Sequence, residues 1–475
     1  MPRKPEAATI ARLKELVGPK GWRDAPDELE SYLVDCRQLY RGATPLLLLP
    51  ASTAEVAAIL TLCHREGLAI VPQGGNTGYC GGATPDDSGS ELLLSLRRMN
   101  RVRAVDPAND SMIVEAGLTL AAVQAAARDV NRLFPLSLGS EGSAQIGGNL
   151  GTNAGGTAVL RYGMMRDLVL GLEVVLPDGR VLSALKGLRK DNTGYDLKSL
   201  FIGAEGTLGV ITAVCLKLFP LPTDVATALV ALPSPPSALD LLARLRAGVG
   251  EKLSTFELMP ARAVALTVHH IEGVANPLGT PPAPWYALVE LSSANPSQEL
   301  TSLLTEQLAA AAGDGVIEDA LIAASSTQAQ AMWKLRESIP EAQRRHGASL
   351  KHDVSVPISA IPALLERGTA LAERLVPDGE VVAYGHVGDG NLHFNLSQRS
   401  GASAARFLAG KDDLEEAMFD LVEELGGSFS AEHGIGRLRA AQFRERADPV
   451  EYAVMQALKH ALDPQGIMNP GKVLL

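Results

Sequence analysis

Between two β-rich runs the chain carries "GSEGSAQIGGNLGTNAGGTAVLRYG" (139–163), in which glycine alternates with Ser, Thr and Asn. A stretch so poor in side-chain bulk packs no core of its own, and the well-patterned segments around it distinguish it from a flexible linker. A second loop, "VPQGGNTGYCGG" (71–82), follows a predicted strand and holds five glycines in twelve residues. Glycine tolerates positive φ and lets backbone approach a ligand, so successive N–H groups can point at phosphate oxygens. The spacing is neither GxxxxGK[ST] nor GxGxxG, so neither a P-loop nor a dinucleotide fold is implied. Alone, this loop reads equally as a phosphate cradle or as an ordinary surface turn. With the first loop and a third segment, "NTGYDLKSLFIGAEGTLGVIT", which adds Glu205, it implies a long ligand bearing a diphosphate and several polar groups.

At 475 residues the chain is expected to form two or three domains, with ample apolar residues for a large core. A net charge of −11 argues against nucleic acid or an anionic membrane surface as the main partner, while an anionic substrate stays open. Cys36, Cys63, Cys80 and Cys215 lack CxxC spacing and are expected to stay reduced thiols. The charged start "MPRKPEAATIARLKELVG" has no apolar core segment, and no long apolar run suggests a membrane span, so a soluble cytoplasmic protein is expected.

The pattern divides into a helical lead-in (1–43), a glycine-rich α+β part (44–222), an α/β part (223–425) and a helical tail (426–475). In the second part "ATPLLLLPASTAEVAAILTLCHREGLAIVPQGG" predicts strand, capped helix, strand, with Ser52 or Thr53 at the cap. "ELLLSL", "SMIVEAG", "LVLGLEVVLPDGRVLSA" and "GVITAVCLKLFP" predict further strands. "FPLPTDVA" punctuates the boundary, after which strand and helix alternate, predicting a sheet covered by helices on one side.

In "YGHVGDGNLHFN" (384–395) two histidines stand seven apart around Asp389-Gly390, the dipeptide that a two-residue type I′ turn favours. A reversal there would oppose His386 to His393 with Cβ atoms roughly 5 Å apart. It would set Tyr384, His386, His393 and Asn395 on one face, with Val387, Leu392 and Phe394 on the other. The residues alone leave two readings, a pair of half-buried satisfied histidines or a metal or catalytic site.

Taken in order, the glycine loops, "GAEGTLGVIT", "WKLRE", "KHDVSVP", "GHVGDGNLHFN", "SAEHGIG" and "NPGKVL" make the chain resemble the FAD-linked D-2-hydroxy acid dehydrogenases of the D-2-hydroxyglutarate and D-lactate dehydrogenase type, over almost its whole length. The resemblance implies an α+β fold: a two-part FAD-binding domain of vanillyl-alcohol oxidase type, then an α/β substrate (cap) domain with a helix-covered antiparallel sheet, and a helical C-terminal segment that completes the active site. It implies that Pro72, Gly74, Gly75, Asn76, Thr77 and Gly78 wrap the FAD diphosphate, with Gly81 and Gly82 close by. Gly139, Ser143, Gly147, Gly148, Asn149, Thr152, Asn153 and Gly155 would run along the flavin, joined by Glu205, Gly209, Ile211, Asn391 and Asn469. Some relatives attach FAD through a histidine where this chain has Asn76, so noncovalent FAD is expected.

The resemblance also implies a divalent metal, usually zinc, on His386, His393 and Glu432, with His433 as general base. Arg336, Lys351 and Asn395 would bind the small anionic 2-hydroxy acid. The hydroxyglutarate-type enzymes typically place a substrate-contacting threonine where this chain has Pro340, which offers no hydroxyl and no N–H. The expected reaction is oxidation of D-2-hydroxyglutarate, or of D-lactate or D-malate, to the 2-oxo acid. Electrons would pass to an electron-transfer flavoprotein, cytochrome or quinone, and a homodimer is common in the family. A flavin-binding subunit of a glycolate oxidase-type complex and a zinc hydrolase are the rival readings.

Overall fold

The computed structural model describes residues 3–279, 282–297 and 299–475, so Met1 and Pro2 of the charged start lie outside it. The chain forms two compact units: residues 1–156, 163–221 and 432–475 in the first, and residues 157–162 and 222–431 in the second. No helix among the described residues is long and apolar enough to cross a membrane.

Besides a two-stranded pairing of Arg132–Leu133 with Phe219–Pro220, the first unit holds two larger sheets. One has the order β1 (Trp22–Arg23), β2 (Leu47–Leu48), β4 (Leu92–Ser95), β3 (Ile70–Gln73), with β2 and β3 both parallel to β4. Parallel strands need a crossover connection, and α1 (Thr53–Glu66) makes the one from β2 to β3, which flank β4. Ser52 caps α1 by accepting the Glu55 N–H at 3.2 Å, and Glu55 reaches back to the Ala51 N–H at 2.8 Å. The other sheet is antiparallel in the order β5 (Val102–Asp106), β6 (Ser111–Glu115), β9 (Val210–Lys217), β7 (Val169–Val175), β8 (Val181–Ala184). The edge strand β5, "VRAVD", escapes sequence reading because Arg103 and Asp106 are charged and four of its five residues are exposed.

The second unit holds two antiparallel sheets, the first ordered β11 (Leu253–Pro260), β12 (Trp285–Ser293), β10 (Asp224–Leu232), β13 (Asp319–Ile322). In the second sheet β17 (Asn391–Gln398) is central, paired with β14 (Ser349–Leu350), β15 (Asp353–Ser355) and β16 (Gly379–Tyr384). One core under both sheets is filled by α2 (Pro235–Val249), α4 (Leu300–Gly313), α7 (Ile361–Leu375) and α8 (Lys411–Glu424). A separate core on the opposite face joins Met259, Leu288 and Tyr384 to α3 (Ala261–His270), α5 (Ser326–Glu337) and α6 (Ile339–His346). Helices therefore cover both faces, not one. The cause is visible in β10, whose last seven residues are buried without interruption, so neither face is left to water.

The hairpin at Asp389-Gly390 forms with a different register. Tyr384, not His386, stands opposite His393, and residues 385–390 make a wider connection. The two-residue turn fails because Gly385 leaves the hairpin and bridges Leu258 of β11, its N–H donating to the Leu258 carbonyl at 3.0 Å and its carbonyl accepting at 2.9 Å. Of the Asp389-Gly390 pair Gly390 takes positive φ, at 89°, and Asp389 does not, which excludes type I′. A Cβ on Gly390 would lie 2.3 Å from the Val356 carbonyl oxygen. We expect Gly390→Ala to lower the stability of the second unit by more than about 1 kcal/mol, read as an earlier melting transition. An unchanged melting curve would contradict the tight turn.

Candidate active site

In the second unit the site grows from a strand with no turn signal or motif. β11 alternates so that Phe256 and Leu258 enter the large core, which turns Glu257 and Met259 to the opposite face. Glu257 is 1% exposed, at a position where an apolar residue would ordinarily sit. A carboxylate survives there only when paired. Arg336, 6% exposed at the end of α5, donates from Nε to Glu257 Oε2 at 2.7 Å. His386 Nδ1 bonds the other oxygen, Oε1. Burial alone would raise the Glu257 carboxyl; the Arg336 guanidinium and the His386 ring overcome that and hold it at about 2.

This bond orients the imidazole. With Nδ1 turned to a carboxylate, Nε2 keeps a lone pair pointing away, the arrangement by which a second carboxylate prepares a metal-binding histidine. The His393 ring lies 5.6 Å from that of His386, and Tyr384 5.2 Å from His393. Arg336 stacks over the Tyr384 ring at 4.8 Å. The structure thus brings His386, His393 and Arg336 together despite the changed register, because Glu257 draws His386 inward. Sequence reading misses Glu257 itself; the available signal is a lone glutamate inside the apolar β-rich run "STFELM".

Around them the predicted residues have specific partners. Asn395 is buried and donates to Gln343 Oε1 at 3.1 Å, and Gln343 in turn donates to Ser397 at 3.0 Å, so α6 is tied to β17. Asn391 donates to Asp353 at 2.9 Å and to the Val354 carbonyl at 3.0 Å. Lys351 is exposed between β14 and β15. Pro340 sits in the first turn of α6, where a missing N–H costs nothing.

In the first unit the glycine loops meet at backbone distance. A Cβ on Gly75 would lie 2.0 Å from the Ser143 carbonyl oxygen, and one on Gly74 3.3 Å from Gly148. Nine non-glycine residues among those described take positive φ, and Asn76, Asn153, Glu205 and Asn469 are four of them. Each is a cofactor-binding candidate, and such strain gathers at sites that hold ligands. Gln73 Oε1, Gln145 Oε1, Asn149 Oδ1 and Asn469 Oδ1 are buried without a hydrogen-bond partner among the described residues. Bare backbone lined by orphaned polar atoms fits a long ligand with phosphates and a polar ring system.

Several predicted cofactor residues engage protein partners with their side chains. Asn76 donates to the Val34 carbonyl at 2.8 Å and the Ser31 carbonyl at 3.3 Å, which leaves its backbone to the loop. Glu205 accepts the N–H groups of Ile435 at 2.7 Å and Gly436 at 2.9 Å, so its carboxylate pins the loop that follows His433. Burial pushes the Glu205 carboxyl up to about 7, against the pull of those two bonds. Asn469 completes the arrangement by donating to the Gly82 and Glu205 carbonyls at 2.9 and 2.7 Å. His433 packs edge-on to Tyr79 at 4.7 Å, and Glu432 accepts the Gly156 N–H at 3.2 Å.

Residues 44–184 match the family described as FAD binding domain, and residues 221–473 that described as FAD linked oxidases, C-terminal domain. A Bos taurus protein named "D-2-hydroxyglutarate dehydrogenase, mitochondrial" is 41% identical over 452 residues, covering 94% of this chain and 80% of that protein. A "D-2-hydroxyglutarate dehydrogenase" of Xanthomonas citri pv. viticola is 36% identical over 464 residues, covering 98% of this chain and 96% of that protein. The solved structure of p-cresol methylhydroxylase with substrate bound shares the fold, with a TM-score of 0.77 at 16% identity over 100% of this chain and 98% of that one.

Glu257→Gln would take the carboxylate away from the buried Arg336 guanidinium, and we expect it to cost about 3–5 kcal/mol at neutral pH. The Glu257 carboxyl is depressed from 4.5 to about 2, so its stabilisation is present above pH 4.5 and is lost as pH falls towards 2. Melting temperatures of the native and substituted chains should converge across that window. A gap that persists unchanged to its acid end would show that the charge is not what stabilises the site.

Proposed function

The chain belongs to the FAD-linked oxidases, among the relatives of the D-2-hydroxyglutarate dehydrogenases, and from that premise we propose that it oxidises D-2-hydroxyglutarate, or a related acid such as D-lactate or D-malate, to the 2-oxo acid. We assign a divalent metal, zinc in our reading, to His386, His393 and Glu432, and the role of general base to His433. When bound, FAD supplies a two-electron acceptor and the metal a Lewis acid that makes the substrate hydroxyl easier to deprotonate.

The observation that carries this reading is the oriented His386 ring, held through Nδ1 by Glu257 and set 5.6 Å from His393. Covalent connectivity supports Glu432 as the third ligand: Ala431, to which it is peptide-bonded, donates its N–H to the Asp353 carbonyl at 3.2 Å, and Asp353 is the ladder partner of His393. His433 follows directly, so the ligand and the base share one short loop whose far side Glu205 pins. In the reaction the base takes the hydroxyl proton, and the C2 hydrogen leaves with the electron pair.

Arg336, Lys351 and Asn395 are the substrate-binding residues in this reading. The Glu257 contact gives Arg336 a second task, since the same guanidinium keeps that carboxylate ionised behind His386. The cofactor is held noncovalently, because the Asn76 carboxamide is no nucleophile and is turned to the carbonyls of Ser31 and Val34. A zinc hydrolase would leave the matched FAD-binding domain without a purpose.

Anaerobic bleaching of the oxidised flavin band by a panel of D- and L-2-hydroxy acids tests the proposal. We expect bleaching by D-acids, slowed about 10²–10⁴-fold in His433→Ala and sharply reduced by a chelator. Bleaching by L-acids alone would overturn the stereochemistry, and full activity after metal removal would overturn the ligand assignment. Reduction unchanged in His433→Ala would remove that residue from the chemistry.

A further inference from the structure

The second unit contains a cavity of about 450 Å³, bordered by α3, α6 and the loop after β17, whose ionisable lining is entirely basic: Arg262, His269, His270, His346 and Arg399. No aspartate or glutamate lines it, in a chain whose net charge is −11. None of these residues belongs to the proposed active site. We propose that this cavity is a binding site for a phosphate-type dianion, either free phosphate or the phosphate of a small phosphorylated metabolite, and that it is distinct from the oxidation site.

The hydrogen bonds show how these groups are engaged. His346 Nε2 lies 3.1 Å from the Gln398 carbonyl, which only accepts, so that nitrogen carries the hydrogen. His346 Nδ1 is then the acceptor for His270 Nε2, 3.1 Å away. Arg262 Nη2 approaches His346 Nε2 at 3.4 Å but cannot bond it, because a guanidinium has only donors and that nitrogen has no lone pair left. Arg262 Nε is buried and lacks a hydrogen-bond partner among the described residues. One carboxylate, Glu380, pairs with Arg262 Nη2 at 2.5 Å. Arg345 is engaged by Glu341 at 2.8 Å and by the His270 carbonyl at 3.1 Å.

The cluster sets several basic groups close to one another, with Glu380 beside Arg262 and Glu341 beside Arg345. Burial and the neighbouring His269, His346, Arg262 and Arg345 all lower the affinity of His270 for a proton. A dianion seated among these groups would reverse the repulsion, pair with the part of the Arg262 side chain that stays accessible and draw protons onto the imidazoles. A divalent cation is the poorer occupant, since two facing imidazole nitrogens would be its only close ligands and the Arg262 guanidinium stands beside them. The volume exceeds what inorganic phosphate needs and suits a small phosphomonoester.

The test is calorimetric titration of the holoenzyme at constant ionic strength and about pH 6.5, near the ordinary histidine value. Inorganic phosphate, glycerol 3-phosphate, succinate and Zn²⁺ are the four probes. We expect one saturable phosphate site with Kd at or below about 1 mM, weakened at least about ten-fold in the double variant Arg262→Gln, His269→Gln. Tighter binding of glycerol 3-phosphate would identify a phosphorylated metabolite, and equal binding free phosphate; either supports the site. Histidine C–H resonances of the unmutated holoenzyme give an independent readout, in which phosphate should move His269, His270 and His346 and leave His386 and His393 in place. Absence of saturable phosphate binding, binding unaffected by the double variant, or saturation by succinate or Zn²⁺ instead of phosphate would overturn the proposal. Since the flavin assay with D-acids does not enter, this result stands apart from that of the oxidation chemistry.

Discussion

The candidate site of the second unit is organised around one buried ion pair, Glu257 with Arg336. Removing two charges from water is costly, and their attraction repays it only when geometry is good and the remaining valences are filled. Here they are filled: His386 takes the second carboxylate oxygen, and the Tyr384 ring lies under the guanidinium. The same contact that offsets desolvation therefore fixes the tautomer and direction of an imidazole. Stability and chemistry share the residue, so the site cannot loosen without exposing a buried charge.

The first unit solves a different problem, which is to leave room. Its loops hold backbone against backbone, with Gly75 against Ser143 and Gly74 against Gly148, and place Asn76, Asn153, Glu205 and Asn469 in a conformation that L-residues disfavour. Surrounding hydrogen bonds maintain that strain, such as those from Asn469 to the Gly82 and Glu205 carbonyls. The orphaned amide oxygens among these loops are acceptors left open to a polar ligand.

Much of this was legible in the residues. The capped helix after Ser52, the turn between Val175 and Val181, and the strand-helix units of the second unit carry local signals that the structure reproduces. Strands β5 and β11 were not legible, the first because two of its five residues are charged and four are exposed, the second because its one charged residue, Glu257, breaks no pattern by itself. The hairpin shows the limit most clearly. Asp389-Gly390 is a sound local turn signal, but Gly385 exchanges two hydrogen bonds with Leu258, and that long-range bridge overrides it.

By itself the sequence determined which residue types were available and in what order: two glycine-rich loops, two histidines around a turn, and a Glu-His pair near the end. Short-range physics suffices for these, because turn preference, capping and strand alternation act within a few residues. Only the tertiary structure decided that Glu257 stands behind His386, that Tyr384 and not His386 opposes His393, and that three histidines and two arginines share a cavity without a carboxylate. Each of those pairings joins residues far apart in the chain. Burial strengthens their electrostatics, and burial is a property of the packed fold rather than of any local stretch of chain.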